Sequence, residues 1–338
     1  MTHIRFCDVK EDWQRAYLED GLDDLDTSVE TTFHGASLQE VTEPDLESTQ
    51  ILSVFIDSDC GRQQLEKLPD LQFVTTRSTG FDHVDLEWCR ERDIPVSNVP
   101  TYGEHTVAEH TFALLLNLSR RVHEVVQSTP PGDFEFGGTR GFDLRGKTMG
   151  LIGTGHIGKH VAKMARGFGM DVVAHDVDED PFIAELLNYR YVSLDDLLKS
   201  ADIISLHLPL NDHTHHILGA DELKRCKDDA IIINTARGGL IDTNALLREL
   251  ENDHLGGAGL DVIEGEEMIL SEPELNEKEF SREKLEQLVE NSRLLKRDDV
   301  IFTPHMAYNS REAIERILDT TIGNIRSYLD GQPTNTVN

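Results

Sequence analysis

Three glycines spaced as G-x-G-x-x-G are the most informative residues in the sequence for a possible cofactor site. Gly153, Gly155 and Gly158 follow the apolar run TMGLI and open the amphipathic stretch HIGKHVAKMARGF. In such a strand–turn–helix, the first glycine permits a tight turn, the second lets a pyrophosphate approach the backbone, and the third lets helix and strand pack closely. The helix N-terminus would favour the phosphate charge. The motif predicts a dinucleotide site, and a turn that binds nothing is the less favoured alternative.

An acidic residue at the end of the next apolar run indicates which dinucleotide would bind. Asp176 stands where this motif places the carboxylate that binds the ribose hydroxyls. The residues that follow it, VDED, contain three more acids and no arginine or lysine. These acids would repel a 2′-phosphate, so the sequence predicts NAD and not NADP.

Three later segments carry groups suited to carbonyl chemistry. Arg237 follows the run AIIINTA, and a guanidinium at a strand end can hold a carboxylate through two hydrogen bonds, although a surface arginine would look the same. His305 follows DVIFTP, and a neighbouring carboxylate would favour its protonated form. A protonated histidine can donate to a carbonyl oxygen and take the proton back in reverse. The segment GLDVIEGEE supplies the candidate carboxylates Asp261, Glu264, Glu266 and Glu267.

Alternating strand and helix patterns must position these groups. The runs that read as strands are ILSVFI, LQFVTTRS, DIISLHLPL, DAIIINTA, GGAGLDVI and DDVIFTPH, and IPVSNVP is extended. Helical patterns are DLEWCRERD, LDDLLKSA, TNALLRELEN and SREAIERILDTTIGNIRSYLDG, the last with Ser310 as its N-cap. The alternation predicts parallel sheets covered by helices on both faces. A polypeptide of 338 residues is expected to form two domains.

Two segments call for separate predictions. From Thr106, TVAEHTFALLLNLSRRVHEVVQ is predicted to be one long helix with an apolar middle. It would lie between domains, in a subunit contact, or in a core. Residues 271–297 are charged and helical in pattern, and we expect a surface insertion between two strands.

The charge of the protein excludes some classes of partner. There are 63 acidic against 32 basic residues, and the formal net charge is −31. Such a surface repels nucleic acid and anionic membranes. It fits ordinary acidic solubility or, since arginine outnumbers lysine, adaptation to high salt, where screening relieves self-repulsion. The salt hypothesis predicts that activity rises in molar salt.

Cysteine spacing and hydropathy indicate a cytoplasmic protein. The cysteines Cys7, Cys60, Cys89 and Cys226 form no CxxC pair. We expect reduced thiols, and neither a disulfide framework nor a metal site. No apolar run reaches the roughly 18 residues of a membrane helix, and the first residues contain no secretory signal pattern.

In order and spacing, several segments resemble the D-isomer-specific 2-hydroxyacid dehydrogenase family over essentially the whole sequence. They are RSTGFDHVDLEWCRERDIPVSNVPTYGEHTVAEHTFALLLNLSRR, GKTMGLIGTGHIGKHVAKMARGFGMDVVAHD, ADIISLHLPLNDHTHHIL, INTARGGLID, GAGLDVIEGEE and TPHMAYNSREA. Within the family, STGFDHVDLEWC and NVPTYGEHTVAEH look most like the D-lactate dehydrogenase branch.

The resemblance implies an α/β fold of two doubly wound parallel-sheet domains with a cleft between them. Residues 1–103 plus 309–338 would form a flavodoxin-like substrate domain, and residues 104–308 a Rossmann NAD-binding domain. The implied activity is reversible hydride transfer between NADH and a small 2-keto acid, with pyruvate and D-lactate as the first choice. A homodimer is also implied.

The resemblance assigns catalytic roles residue by residue. Arg237 would clamp the substrate carboxylate, and His305 would be the general acid and base. Glu266 would hold His305 protonated, with Glu264 and Glu267 as the neighbours that could be mistaken for it. In the family a proline usually follows this glutamate, whereas here, as in the lactate-like branch, Glu267 does.

Substrate and cofactor contacts are implied in the same way. Ser78, Thr79 and Gly80 would offer backbone N–H groups to the substrate carboxylate. Tyr102 and Tyr308 would lie beside the substrate, with core packing as the alternative for both. The residues expected to line the NAD site are Thr106, Gly153, Gly155, His156, Ile157, Gly158, Asp176, His207, Pro209, Thr214, Thr235, Ala236, Asp261 and His305.

Several other functions share this pattern. Within the enzyme class they are glyoxylate/hydroxypyruvate reductase, a D-2-hydroxyacid dehydrogenase for longer substrates and 3-phosphoglycerate dehydrogenase. The excess of acids disfavours the last, whose substrate carries a phosphate. From another class, an NAD-sensing protein of the corepressor type would keep the cofactor site without needing fast turnover.

Overall fold

The computed structural model describes residues 2–23, 28–41, 44–129, 140–266 and 282–338. Its strands are β1 (Thr2–Phe6), β2 (Val29–Phe33), β3 (Ile51–Val54), β4 (Phe73–Thr76), β5 (Val96–Ser97), β6 (Thr148–Ile152), β7 (Asp171–His175), β8 (Arg190–Tyr191), β9 (Ile203–Leu206), β10 (Ala230–Asn234), β11 (Leu255–Leu260) and β12 (Val300–Phe302). Its helices are α1 (Asp12–Asp23), α2 (Arg62–Leu65), α3 (Leu86–Arg90), α4 (Glu104–Arg120), α5 (Val122–Ser128), α6 (His156–Gly167), α7 (Pro181–Leu187), α8 (Leu194–Ser200), α9 (Ala220–Leu223), α10 (Thr243–Glu251), α11 (Arg282–Leu295) and α12 (Arg311–Leu329). These elements form two compact units, Met1–Tyr102 with Ser310–Asn338, and Gly103–Asn309.

The first unit is built on a parallel sheet with strand order β2-β1-β3-β4-β5. Phe6, Ile51 and Phe73 on three neighbouring strands are completely buried. Helices α1 and α12 pack together over this sheet and contribute Leu18 and Ile325 to the same apolar cluster. Every residue of β3 and β4 is buried, including the polar ones, as expected for strands covered on both faces.

The second unit is built on a longer parallel sheet with strand order β12-β11-β10-β9-β6-β7-β8. The backbone leaves β6 in one direction through β7 and β8, and returns to the other side of β6 through β9. In sheets of this topology, ligands bind at the carboxyl ends of the strands near that reversal. Both units are therefore the predicted α/β parallel-sheet folds.

The prediction of one long helix from Thr106 is wrong, because the segment forms two helices. Helix α4 ends at Arg120, and α5 begins at Val122. Arg121 between them has φ +51°, in the left-handed region, and its N–H donates to carbonyls of the last turn of α4. The side chain of Asn117 then accepts from the N–H of His123, which stabilises the break.

The segment between β11 and β12, predicted to be a surface insertion, also has a buried side. Residues 271–281 lie outside the described residues, and α11 follows them. Leu294 and Asn291 of α11 are completely buried, and α11 packs against α10. The charged pattern concealed an inward-facing stripe, because the outer face of the helix dominates its composition.

Smaller predictions can be compared directly with the structure. The hydroxyl of Ser310 accepts from the N–H of Ala313 and caps α12, as predicted. All four cysteines are buried and free. Burial, with Asp8 alongside, raises the pKa of the Cys7 thiol to about 12, which makes it unreactive. Within the described ranges, no helix is long and apolar enough to cross a membrane.

Candidate active site

The predicted residues of the second unit gather at one edge of its sheet. Each follows the carboxyl end of a parallel strand, so the strand order decides which of them become neighbours. Strands β10, β11 and β12 are adjacent, and β6 lies between β7 and β9. The residues that follow β6, β7, β9, β10, β11 and β12 are, in that order, Gly153, Asp176, His207, Arg237, Asp261 and His305.

The glycine turn after β6 has the geometry that the motif predicts. Gly153 has φ +99°, and a Cβ there would collide with the carbonyl of His207. A Cβ at Gly158 would collide with the carbonyl of Gly153, so helix and turn pack closely. A Cβ at Gly155 would meet nothing within 4 Å, and Gly155 is the N-cap of α6. Open space therefore faces the unpaired N–H groups of a helix N-terminus, which suits a pyrophosphate.

Asp176 is held as an ionised acceptor beside this turn. Its Oδ2 accepts from the N–H of Thr154 at 2.6 Å and from the Thr154 hydroxyl at 3.0 Å. Its Oδ1 accepts from the N–H of Asp178 at 3.0 Å. Partial burial would raise the pKa of Asp176, but these hydrogen bonds outweigh it and the pKa is lowered. A fixed negative charge accepts hydroxyl donors and repels a 2′-phosphate, so the turn and Asp176 fit NAD.

Arg237 is positioned by a residue that the sequence reasoning missed. Asn234, the buried last residue of β10, donates from Nδ2 to the carbonyl of Arg237 at 2.8 Å and accepts from the N–H of Ala236 at 3.0 Å. Arg237 Nη1 donates to the carbonyl of Ala236 at 2.7 Å. These bonds hold the turn after β10 in one shape, with the half-buried guanidinium at the carboxyl edge of the sheet.

Glu266 and His305 form the hydrogen-bonded pair of the site. His305 Nδ1 lies 2.8 Å from Glu266 Oε1, and the two side chains are 30% and 24% exposed. Because a carboxylate only accepts, Nδ1 carries the proton of this bond. The other carboxylate oxygen of Glu266 accepts from the N–H of Ile263 at 3.1 Å. The remaining ring nitrogen, Nε2, is then the atom that can exchange a proton with a ligand.

A buried carboxylate holds the loop that carries His305. Asp261 is 1% exposed, and it accepts from the N–H groups of Met306 and Ala307, both at 2.9 Å. It also accepts from the Thr303 hydroxyl at 2.6 Å. The carbonyl of Asp261 accepts from the N–H of His305 at 2.7 Å, which helps to keep His305 at φ +49°. Asp261 therefore sets the backbone on both sides of the histidine.

The same carboxylate has a histidine neighbour that the sequence reasoning also missed. His110 Nε2 lies 2.9 Å from Thr303 Oγ1 and 3.4 Å from Asp261 Oδ1. Burial would raise the pKa of Asp261, but hydrogen bonds from His110, Thr303 and the backbone N–H groups lower it. No motif marked His110, because its partners lie far away in the sequence.

Replacing Asp261→Asn should disturb both stability and turnover. The amide leaves at least one of the buried donors without an acceptor, so we expect the free energy of unfolding to fall by about 1–3 kcal/mol. Because the loop carries His305, kcat should fall as well. Denaturant unfolding and steady-state kinetics measure the two effects. Glu249→Gln is the matched control, since Glu249 is also buried but bonds His254; it should lower stability and leave kcat unchanged. An Asp261→Asn enzyme with normal kcat would contradict the positioning role.

The segment after β9 places His207 under the glycine turn. His207 Nε2 lies 2.9 Å from the Ser205 hydroxyl oxygen, and its Nδ1 is buried without a partner. Burial lowers the pKa of His207 to about 3. Further along, the Thr214 hydroxyl donates to the carbonyl of Pro209 at 2.7 Å and closes the following loop.

The imidazole of His207, half-buried with its Nδ1 enclosed and unpartnered, predicts a loss of stability in mild acid. An unfolded histidine titrates near pH 6.5, so between that pH and about 3 the unfolded protein binds a proton that the folded protein rejects. Stability therefore falls as pH decreases, by up to about 1.4 kcal/mol per pH unit. Denaturant unfolding from pH 6.5 to 5 at constant ionic strength measures this slope. His207→Gln should flatten it, and His213→Gln, at an exposed position, should not. Equal slopes in wild type and His207→Gln would refute the assignment.

Other predicted cofactor residues lie around the same edge. The Thr235 hydroxyl oxygen lies 3.0 Å from that of Thr111, so β10 is tied to α4 near its end. Thr106 is buried near the start of α4. In the first turn of α6, His156 is exposed and Ile157 half-buried. Contact of these residues with a cofactor stays a prediction.

The predicted substrate loop belongs to the first unit and follows β4. The Ser78 hydroxyl donates to the carbonyl of Gly80 at 2.6 Å, and the Thr79 hydroxyl donates to the carbonyl of Val99 at 2.8 Å. The two hydroxyls thus shape the loop. Tyr102 in this unit and Tyr308 in the second unit are each half-buried.

Comparisons with known proteins agree with this geometry. Residues 112–307 match the family model for the NAD-binding domain of D-isomer-specific 2-hydroxyacid dehydrogenases. A 2-hydroxyacid dehydrogenase homolog of Haemophilus influenzae is 34% identical over 95% of this protein and 94% of its own length. An aromatic 2-oxoacid reductase of Clostridium sporogenes is 34% identical over 82% of each protein.

A solved structure extends the similarity to the whole fold. The D-lactate dehydrogenase of Aquifex aeolicus, in complex with NAD and lactic acid, superposes with a TM-score of 0.84 at 33% identity. The match covers 97% of this protein and 96% of that one. The protein therefore belongs to the D-isomer-specific 2-hydroxyacid dehydrogenase family and is an NAD-dependent oxidoreductase that acts on a CH–OH group.

Proposed function

We propose that this enzyme reduces a small 2-keto acid, with pyruvate as the first choice, to the D-2-hydroxy acid, and that it also catalyses the reverse reaction. The observation that carries the proposal is the 2.8 Å pair of His305 Nδ1 and Glu266 Oε1 at the edge of the sheet where Arg237 follows β10, one strand away from β11. An acid–base group next to a carboxylate-binding cation is what reduction of a 2-keto acid needs.

His305 is the proposed general acid. With Nδ1–H donated to Glu266, Nε2 donates a proton to the substrate's carbonyl oxygen during reduction and accepts one from the hydroxyl during oxidation. Glu266 stabilises the imidazolium and fixes the orientation of the ring. NADH, when bound, supplies the hydride that reduces the substrate carbon.

Substrate binding is assigned to Arg237 and to groups of the first unit. Arg237 would bind the carboxylate through two hydrogen bonds and so orient the carbonyl. The backbone N–H groups of Ser78, Thr79 and Gly80 would bind the same carboxylate, since the two hydroxyls are occupied within the loop. The substrate domain would thus be the first unit, with Tyr102 contributed by it.

Cofactor binding is assigned to the second unit. The glycine turn and the N-terminus of α6 would hold the pyrophosphate, and Asp176 the adenosine ribose. Thr235, Ala236 and Asp261 would lie at the nicotinamide end. The remaining proposed contacts are Thr106, His156, Ile157, His207, Pro209 and Thr214, with Tyr308 beside the substrate.

The test is NADH oxidation with a panel of 2-keto acids and chiral analysis of the product. The panel comprises pyruvate, 2-ketobutyrate, phenylpyruvate, 4-methyl-2-oxopentanoate, glyoxylate, hydroxypyruvate and oxaloacetate. Fast conversion of pyruvate to D-lactate supports the proposal. The similarity to an aromatic 2-oxoacid reductase favours one rival, a bulkier 2-keto acid, and phenylpyruvate preference would establish it. Turnover of no acid on the panel, with NADH still bound, would instead favour a sensor of the corepressor type.

We also propose that the enzyme is a cytoplasmic homodimer adapted to high salt. The four free, buried cysteines support a reducing compartment. The net charge of −31 supports the salt dependence. Assays at low and at molar potassium chloride test the latter, and loss of activity in molar salt would exclude it. Sedimentation measures the oligomeric state.

A further inference from the structure

A second cluster of ligand-type side chains lies away from the catalytic pair. His215, His216 and Glu264 bring one ligand atom each within 4.8 Å of one another. His216 Nε2 lies 2.9 Å from Glu264 Oε1, and His215 Nε2 lies 3.6 Å from the same oxygen. The two imidazole rings are stacked, with centroids 3.9 Å apart. Two ring nitrogens therefore converge on one carboxylate oxygen.

The backbone that carries these side chains is held by packed neighbours. His216 has φ +51°, a region that residues with a Cβ rarely occupy, and its N–H donates to the carbonyl of Gly239 at 2.9 Å. The carbonyl of Glu264 accepts from Asn291 Nδ2 at 2.9 Å. A Cβ at Gly238 would collide with the backbone at Glu264. The ligand atoms thus stand on two segments that are fixed against each other.

We propose that His215, His216 and Glu264 bind one divalent transition-metal ion of the zinc class. Two imidazoles and a carboxylate suit Zn²⁺, Co²⁺ or Ni²⁺, whereas Mg²⁺ and Ca²⁺ prefer oxygen ligands alone. In a tetrahedral zinc site, ligand atoms lie about 3.4 Å apart, as bond lengths near 2.1 Å require. The observed separations from Glu264 Oε1, 2.9 and 3.6 Å, bracket that value. Water completes the coordination shell, because His215 is 53% exposed.

The ion would hold two loops together near the proposed active site and would not take part in the proposed reaction. Glu264 precedes Glu266 on the same turn, and Gly238 follows Arg237. An ion on Glu264 and the two histidines would therefore tie the loop after β9 to the turn that carries Glu266, against which Gly238 of the Arg237 turn is packed. The prediction goes beyond the dehydrogenase function, and metal binding can be measured without substrate or NADH.

Zinc titration of chelator-treated enzyme by calorimetry at pH 7.5 tests the site. We expect one Zn²⁺ per protein molecule, bound with a Kd below about 10 μM. His215→Ala and Glu264→Gln should each weaken binding at least about 10-fold. His213→Ala is the matched control, an exposed histidine of the same loop outside the cluster, and should bind as wild type does.

Cobalt supplies an independent readout of the coordination. Co²⁺ bound at the site should give a visible absorption band that is lost in His215→Ala and kept in His213→Ala. Thermal unfolding of each variant without metal checks that the fold is intact. Absence of a zinc site below about 10 μM in wild type would overturn the proposal. Unchanged affinity in both His215→Ala and Glu264→Gln would do so as well, since the ion would then lie elsewhere among the 15 histidines.

Discussion

His305→Asn should lower kcat for 2-keto acid reduction by about 10²- to 10⁴-fold. The asparagine removes the group that would donate the proton to the carbonyl oxygen, and it cannot form the imidazolium that Glu266, 2.8 Å from Nδ1, would stabilise. NADH binding, measured by fluorescence, should fall much less than kcat, because His305 is one expected cofactor contact among many and the glycine turn and Asp176 lie at other strand ends. Glu266→Gln should lower kcat by a smaller factor, since the imidazole remains.

A matched histidine separates this effect from a general loss of charge. His213→Asn changes an exposed residue of the same unit and should keep the wild-type rate. The double variant His305→Asn/Glu266→Gln should be about as slow as His305→Asn alone, because two residues that act as a unit are not additive. A His305→Asn enzyme within a few-fold of wild type would rule out the general-acid role.

Arg237→Ala should lower kcat/KM by about 30-fold to several thousand-fold, which corresponds to the 2–5 kcal/mol lost when one partner of a desolvated charge pair is removed. KM should rise and kcat should fall together, because the proposed contact would hold the carboxylate in both the ground state and the transition state. Arg237→Lys should recover only part of the activity, since an ammonium cannot form the planar two-bond contact. Steady-state kinetics with pyruvate measure each value.

The substrate offers the sharpest control for this arginine. Pyruvamide lacks the carboxylate, so wild type and Arg237→Ala should differ far less with it than with pyruvate. Arg225→Ala, which removes an exposed arginine paired with Asp195, should match wild type with both substrates. If Arg237→Ala lost the same factor with the amide as with the acid, the arginine would be acting on the fold of the turn and not on the carboxylate.

Much of the cofactor half of the site could be predicted from the sequence, because its requirements are local. The turn at Gly153 needs a positive φ, and Gly155 and Gly158 follow within one helical turn. Asp176 follows directly after the next strand. Strand and helix patterns likewise depend on residues a few positions apart, and the parallel α/β architecture follows from their alternation.

The features that the sequence analysis missed depended on contacts distant in the sequence. The break at Arg121 is supported where His123 Nε2 lies 2.9 Å from the carbonyl of Asp298, which no local pattern reveals. The buried face of α11 is evident only from the packing of Leu294 in an apolar cluster with residues of other elements. Asn234 and His110 went unnoticed for the same reason, since polar residues without a motif look alike until their partners are known.

The sequence by itself determined the family, the cofactor class, and the set of residues from which the proposed active site is drawn. The family resemblance assigned Glu266 to His305, and only the tertiary structure decided how the two other acids of that segment are used. Glu266 bonds His305, Glu264 turns to His215 and His216, and Asp261 holds the backbone around His305. Sequence spacing alone does not show which acid contacts which partner, because each contact depends on the pairing of β9, β10, β11 and β12. That pairing brings together loops dozens of residues apart, and it is set by burial of the whole sheet.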